Sequence, residues 1–264
     1  MKKHLSRIYL AIILVFMYMP IVTLIIFSFN DSRSMASWTG FTLKWYGELF
    51  TDAEVGEAVF VTLTIALIAT LVATVIGTMA AIGIDRMQKK RKHIVLNLTY
   101  IPMVNADIVL GISLLLLFIF LNIPRGYLTM LLAHITFCIP YVILSVLPKL
   151  TQMNPQTYEA ALDLGASQSY AMRKVVVPQI MPGILTGAMI AFTMSFDDFV
   201  ISFFTAQGAT ENLSTHIYAM ARVGINPSIN ALSAIMFVVV ICLLLLINFR
   251  VNRSMSKTVK GAAR

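Results

Sequence analysis

The chain has 264 residues, of which 58% are hydrophobic and only 12% are charged, and its formal net charge is +8. A soluble domain of this length carries about 25% charged residues, so the composition excludes a water-soluble protein. The excess of apolar residues predicts an integral membrane protein.

Six apolar runs have the length of about 20 residues with which a helix crosses a bilayer. In chain order they cover residues 8–28, 58–84, 94–120, 127–148, 182–206 and 230–249. No alternating strand pattern accompanies them, and helices satisfy their backbone hydrogen bonds within lipid. We therefore predict an all-α polytopic protein in which residues 1–264 form a single transmembrane domain of six helices.

The basic residues give the predicted orientation, because Lys and Arg concentrate in cytoplasmic loops. If the N-terminus is cytoplasmic, most of the 20 Lys and Arg lie inside, and the outer segments keep only Arg33, Lys44, Arg125 and Arg222. Both termini are then cytoplasmic. Attraction to anionic lipid is sufficient to explain the net charge, so no nucleic-acid partner is predicted. The first apolar run is interpreted as an uncleaved span, since no small-residue cleavage site follows it.

The outer loop at residues 29–57 contains Trp38, Trp45 and Tyr46, which are residue types that anchor proteins at the membrane interface. Two interpretations are open. The loop is an amphipathic belt lying on the membrane, which its composition favours, or it is part of a docking surface for an outside partner.

No enzyme site is recognisable. The chain has no nucleotide-binding glycine loop, nucleophile elbow or zinc motif, so neither catalysis nor a metal site is predicted. Cys138 and Cys242 lie within spans and are interpreted as small apolar side chains. His134, inside the fourth span, is predicted to hydrogen-bond to a neighbouring helix.

The inner loop at residues 149–181 carries the signals of a helix–turn–helix. Asn154 can cap a helix that begins at Pro155 and stops at Gly165. Ser167 can start a second short helix, and the proline eleven residues later is expected to limit it. The first helix has about two turns and is not stable alone, so the hairpin needs something to pack against.

Seven residues of this loop stand at fixed spacings: Glu159, Ala160, Ala161, Gly165, Val175, Val177 and Pro178. They resemble the EAA loop of ABC importer permeases, which reads EAA, three residues, G, nine residues and I-x-L-P, with valine here replacing isoleucine and leucine. The resemblance implies that the short EAA helix inserts into a groove of a cytoplasmic ATPase and transmits its movement. Alanines permit close backbone approach, and the glycine allows the sharp turn.

The similarity covers nearly the whole chain. The stretches MPIVTLIIFSFNDS, FTLKWY, MVNADIVLGISLLLLF, HITFCIPYVIL and SFDDFVISFF are similar to permease subunits of spermidine/putrescine importers. This implies a type I ABC importer permease fold in the bacterial inner membrane. It also implies a second homologous permease, an ATPase dimer holding ATP and Mg, an extracytoplasmic solute-binding protein and a polyamine cargo. The chain itself then holds no cofactor.

Three acidic residues fall inside the predicted spans: Asp107, Asp197 and Asp198. A charge at the centre of a membrane helix costs about 2.5–3.5 kcal/mol, so such acids are functional candidates. Counted along regular helices, Asp107 and Asp197 lie roughly 20 Å from the cytoplasmic edge, and so at nearly one depth. Carboxylates there can hold the ammonium groups of a polyamine, while Phe196 and Phe199 offer cation–π faces.

Asp197 and Asp198 cannot both face one pathway in a regular helix, because consecutive residues point about 100° apart. Either the helix is broken there, or one acid faces the cargo and the other finds a donor elsewhere. In the structural alternative, one or both acids cap a broken helix or pair with a donor in a neighbouring subunit.

Two other functions stay open. The first is the same importer class with another organic cation or a small anion, and the absence of Lys and Arg from the spans disfavours the anion. The second is a proton-coupled secondary carrier that uses the aspartates as relays. Such a carrier would show internal repeats and needs no coupling loop.

Overall fold

A computed structural model of the chain describes residues 2–32, 37–206, 210–223, 227–242 and 245. In these residues the fold is helical, and the one bridge between extended segments joins Asn30 to Phe41. The helices are α1 (Lys2–Phe27), α2 (Lys44–Thr51), α3 (Ala53–Asp85), α4 (Lys89–Val104), α5 (Asp107–Phe120), α6 (Tyr127–Gln152), α7 (Pro155–Asp163), α8 (Gln168–Ala171), α9 (Val177–Phe196), α10 (Val200–Thr205), α11 (Leu213–Val223) and α12 (Pro227–Cys242).

Four helical segments of the described residues are long and apolar enough to cross a membrane: Ser6–Phe27, Ala53–Asp85, Tyr127–Gln152 and Gln168–Phe196. They overlap the predicted first, second, fourth and fifth spans. The bent pair α4 and α5 makes a fifth if it is counted as one span. The all-α polytopic architecture is therefore confirmed. The predicted sixth span, 230–249, begins within α12 and ends outside the described residues. The basic residues that follow it also lie outside the described residues.

The predicted third span, 94–120, is not one continuous helix. α4 ends at Val104, α5 begins at Asp107, and the two helices differ in direction by 102°. Asn105 and Ala106 between them have extended backbone, with ψ of 148° and 138°. Asn and Asp favour helix ends, since their side chains compete for backbone hydrogen bonds. The depth predicted for Asp107 was counted along a straight helix, and that premise is wrong.

The sequence predicted that Pro178 limits the second helix of the inner loop. In the structure Pro178 does not end that helix. A π-helical turn, Met172–Val176, joins α8 to α9, so the helix is continuous from Gln168 to Phe196. The N–H of Val177 bonds to the carbonyl of Met172, five residues back. A proline ring clashes with the carbonyl four residues before it in an α-helix, and a wider π turn relieves that clash.

The described residues form two compact units, one from those within 2–58 and 213–242 and the other from those within 59–212 together with 245. Within the second unit, α6 and α9 pack closely because glycines face the contact. A Cβ on Gly183 would lie 2.9 Å from the Ser145 carbonyl oxygen, and one on Gly187 would lie 3.0 Å from the Val142 Cα. Small residues four apart let membrane helices approach in this way. The α6–α9 pair is thus the tightly packed frame of the unit.

Asn30 organises the outer loop in the first unit. Its Nδ2 donates to the Ser37 carbonyl at 2.8 Å, its Oδ1 accepts from the Thr39 N–H at 3.0 Å, and its own carbonyl accepts from Trp45 Nε1 at 2.8 Å. Trp45 is only 3% exposed, so the prediction that it anchors the chain at the interface is wrong, whereas Trp38 is 50% exposed. The described residues of this segment around Asn30 are thus held together by hydrogen bonds.

Candidate functional site

The predicted fifth span is broken at its two aspartates. α9 ends at Phe196 and α10 begins at Val200. Asp197 and Phe199 lie outside both helices, with φ and ψ of −102° and 5° and of −107° and −47°. The sequence had left open a broken helix or a division of roles between the acids. The structure shows that the helix is broken and also that the two acids have different contacts.

Asp198 caps the start of α10. Its Oδ1 accepts from the Ile201 N–H at 3.3 Å, and its Oδ2 accepts from the Ser202 N–H and the Ser202 hydroxyl, both at 2.8 Å. The first turn of a helix has N–H groups without partners in the helix itself, and these two are satisfied by the carboxylate. The side chain is 10% exposed. Asp198 thus takes the structural role that the sequence offered as an alternative.

Asp197 is placed differently. It follows the last residue of α9, its backbone N–H bonds to the Thr193 carbonyl at 3.4 Å, and its side chain is exposed. Two neighbouring carboxylates therefore have different surroundings, because both lie in the non-helical segment between α9 and α10, where they are not held in helical geometry. Asp197 is the acid that a ligand can reach.

Asp107 is the exposed first residue of α5. A carboxylate in the first turn of a helix is stabilised by the helix dipole, which is a local reason for its position. α5 packs against α10, where a Cβ on Gly111 would lie 2.9 Å from Phe204 Cδ2. The same Cβ on Gly111, one turn after Asp107, would lie 3.5 Å from the Val200 carbonyl oxygen, two residues after Asp198. The two breaks therefore bring acids from separate predicted spans into one region.

Aromatic pairs flank the break on both sides. Phe196 stacks on Phe192 with 5.8 Å between ring centroids, and Phe199 packs on Phe203 at 5.5 Å. Phe196 is only 5% exposed, Phe199 is half-buried, and Phe203 is 45% exposed. Of the two predicted cargo-facing rings, Phe199 is the accessible one, and Phe196 packs within the chain.

Four polar residues around the break were missed as site residues. His134 on α6, only 1% exposed, places Nδ1 2.6 Å from Ser195 Oγ and Nε2 2.9 Å from Ser202 Oγ. Asn212 Nδ2 donates to the Asp198 carbonyl and to Ser202 Oγ, both at 2.8 Å. The predicted hydrogen bond from His134 to a neighbouring helix is confirmed. Serines on both sides of the aspartates, seven residues apart, were the available signal.

The predicted EAA helix is α7, and the caps expected from the sequence are present. Asn154 Oδ1 accepts from the Gln156 N–H at 3.0 Å, and Ser167 Oγ accepts from the Tyr170 N–H at 3.3 Å. Gly165 has φ of +86°, a backbone conformation that residues with a Cβ rarely adopt. The turn after α7 therefore depends on this glycine.

One face of α7 is exposed. Glu159 and Ala160 are open to solvent, and Leu164 just after the helix is 89% exposed. On the other face the ring of Tyr158 is half-buried, and the Arg86 guanidinium lies 5.0 Å from its centroid. The helix is thus held from one side and open on the other. Ala161 is half-buried, and Pro178 is exposed where the π turn joins α9.

The cap at α10 predicts a difference in stability between two adjacent replacements. Asp198→Leu leaves the Ile201 N–H, the Ser202 N–H and the Ser202 hydroxyl without this acceptor, and each buried unsatisfied group costs about 1–3 kcal/mol. We expect a clearly lower unfolding temperature for the detergent-solubilised protein than with Asp197→Leu, which changes an exposed side chain. Equal unfolding temperatures for the two variants would contradict the capping role.

Known proteins are similar over most of the chain. Residues 73–257 match the model of a family described as binding-protein-dependent transport system inner membrane component. The spermidine/putrescine transport system permease protein PotC of Escherichia coli K12 is 39% identical over 230 residues, 87% of each chain. The putrescine transport system permease protein PotI of the same organism is 38% identical over 227 residues, 83% of this chain and 81% of the relative.

A solved structure shares the fold. It is the crystal structure of a bacterial ABC transporter involved in the import of the acidic polysaccharide alginate, with a TM-score of 0.72, 20% identity and 94% of both chains covered. At that identity the likeness shows the fold alone.

Proposed function

Because the chain belongs to the family of inner membrane components of binding-protein-dependent transport systems, we propose that it is the permease subunit of an ATP-driven polyamine importer. It forms half of the translocation pathway, and a second homologous permease forms the other half. Two ATPase subunits holding ATP and Mg dock on the cytoplasmic side, and an extracytoplasmic solute-binding protein delivers spermidine or putrescine. This chain is a transport component without enzymatic activity.

The observation that carries the cargo proposal is the exposed carboxylate of Asp197 at the break in the fifth span. A polyamine combines ammonium groups with methylene chains, so its passage needs carboxylates beside apolar or aromatic walls. Asp197 and Asp107 supply exposed carboxylates, and Phe199 and Phe203 supply the adjacent aromatic faces. Asp198 contributes its charge from behind the pathway while it caps α10.

Coupling to the ATPase runs through residues 149–181 in this proposal. The exposed face of α7, with Glu159 and Ala160, inserts into the ATPase groove, and Ala161 supports it from the packed side. Gly165 sets the turn to α8. Since the helix is continuous through the π turn and past Pro178, a movement of the loop is passed to α9 and so to the break that carries Asp197.

We further propose a topology of six membrane-spanning helices in the bacterial inner membrane, with residues 1–264 as one permease domain and both termini in the cytoplasm. The distribution of Lys and Arg along the sequence supports this orientation. Alternating access is then a rocking of the two permeases against each other, driven through the EAA helices.

Uptake into proteoliposomes tests the proposed function. The chain is reconstituted with its co-expressed permease and ATPase partners, and uptake of labelled spermidine and putrescine is measured with binding protein outside and ATP inside, each with and without a protonophore. We expect uptake that requires ATP and survives the protonophore. Uptake that persists without the ATPase and stops with the protonophore would identify a secondary carrier. ATP-driven uptake of another cation alone would keep the importer and remove the polyamine.

A further inference from the structure

One buried side chain joins both sides of the break in the fifth span. His134 projects from α6, with Nδ1 on Ser195 in the last turn of α9 and Nε2 on Ser202 in the first turn of α10. The nitrogen that contacts Ser202 also lies 3.5 Å from Asp198 Oδ2. The imidazole therefore bridges the ends of two helices that the chain itself connects only through Asp197 to Phe199.

The donor and acceptor groups in this network determine which group donates in each hydrogen bond. The Asn212 amide nitrogen can only donate, and it donates to Ser202 Oγ, while the Ser202 hydroxyl donates to Asp198 Oδ2. Ser202 Oγ then accepts from His134 Nε2–H, because its single proton is already used. A neutral imidazole with its proton on Nε2 has an acceptor at Nδ1, which takes the hydroxyl proton of Ser195. Every one of these groups is satisfied in one arrangement.

We propose that His134 is a positioning residue for the cargo site. It keeps the Asp197 side chain exposed and the Asp198 side chain against the first turn of α10. This inference rests on the proposed function of Asp197. The geometry supports it because the imidazole holds Ser195, two residues before Asp197, and Ser202, four residues after Asp198. Because both serines are hydrogen-bonded to α6, the segment between them is fixed. Asp197 therefore stays exposed and Asp198 stays on the α10 cap.

The α6–α9 packing gives the bridge a fixed base. Cys138, one turn along α6 from His134, points its Sγ at the Ala191 carbonyl of α9 at 3.4 Å, and Thr129 Oγ1 donates to the Thr205 carbonyl at the end of α10 at 2.9 Å. α6 thus contacts α9 before the break and α10 after it. His134 is the member of this series that contacts both helices.

A double-mutant cycle in spermidine uptake separates positioning from general packing. The proteins compared in the assembled complex are wild type, His134→Leu, Asp197→Asn and the double mutant, with uptake normalised to the permease present in the membrane. We expect His134→Leu to lower Vmax/KM about tenfold, with a raised KM, which corresponds to the loss of one well-placed contact. In the Asp197→Asn background the same change should cost less than about twofold, because the carboxylate that it positions is gone.

Rescue and control variants sharpen the test. His134→Gln keeps an N–H that reaches towards Ser202, so it should restore part of the loss, and it replaces His134→Leu in the cycle if the leucine variant is poorly inserted. Thr136→Val is the control, since that exposed hydroxyl bonds only within α6, to the Leu132 carbonyl. Multiplicative losses in the double mutant would overturn the positioning role and leave the proposed function intact. Wild-type uptake by Asp197→Asn alone would overturn the positioning role together with the cargo role of Asp197, and the importer function would stand.

Discussion

We expect spermidine uptake to fall by about 10- to 100-fold when Asp197 is replaced by Asn. A charge-assisted contact is worth about 1.5–3 kcal/mol, and each 1.4 kcal/mol is about a factor of ten in affinity. Asp197 is exposed, and we propose that it is the carboxylate that meets the ammonium groups of the cargo. The loss should appear mainly in KM, since the change removes a contact and leaves the α10 cap in place. Uptake kinetics in cells without other polyamine transporters provide the measurement.

Charge and structure are separated by two comparisons. Asp197→Glu keeps the negative charge and should retain most of the uptake, and Asp197→Asn should leave the amount of membrane permease and its co-purification with the ATPase unchanged. Wild-type uptake by the asparagine variant would remove Asp197 from the pathway. A parallel loss of uptake and of membrane permease would assign it a structural role instead.

We expect Gly165→Val to impair transport and to uncouple ATP hydrolysis from it. A left-handed backbone conformation costs about 1–2 kcal/mol for a residue with a Cβ, and a β-branched residue is strongly disfavoured there. The turn at φ of +86° must then change, and we expect this to move the exposed face of α7 away from the proposed ATPase groove. We expect the spermidine transported per ATP hydrolysed to fall by about tenfold or more.

Gly83→Val is the matched control for this change. Neither glycine has an atom within 4 Å of the position of an added Cβ, but Gly83 has an ordinary backbone conformation inside α3. Any difference between the two variants therefore reports the backbone of the turn and not side-chain bulk. Equal coupling ratios in the two valine variants would show that the turn is not needed for transmission.

Local chemistry explains what was predictable from the sequence. Asn154, Ser167 and Gly165 act on backbone groups within four residues of themselves, so their caps and turn were correctly predicted. The spans that are single helices were found from hydropathy, because each is an apolar run of bilayer length. Family resemblance added the importer class, and the family match confirms it.

Contacts between residues far apart in the sequence explain the features that could not be predicted from it. An averaged hydropathy hides a break, so α4–α5 was predicted as one continuous helix, whereas at α9–α10 the two adjacent aspartates left a break as one of the alternatives. Asp198 is a cap because α10 starts beside it, and the supporting partners His134 and Asn212 come from elsewhere in the chain. Trp45 is buried because its indole reaches the carbonyl of Asn30, fifteen residues earlier. No pattern local to Trp45 contains that contact.

The central claim is that cargo passes Asp197 and not Asp198, and cysteine protection tests it most directly. Asp197→Cys and Asp198→Cys are made in a Cys242→Ser background, since Cys242 is exposed and Cys138 is buried. A cationic methanethiosulfonate reagent is applied to the assembled transporter with and without spermidine, at a spermidine concentration well above the KM measured for the Asp197→Cys variant. We predict fast labelling at position 197, slowed by spermidine, and slow labelling at position 198. Faster labelling at position 198 than at 197, or labelling at 197 that spermidine leaves unchanged, would show that cargo does not pass Asp197 in preference to Asp198.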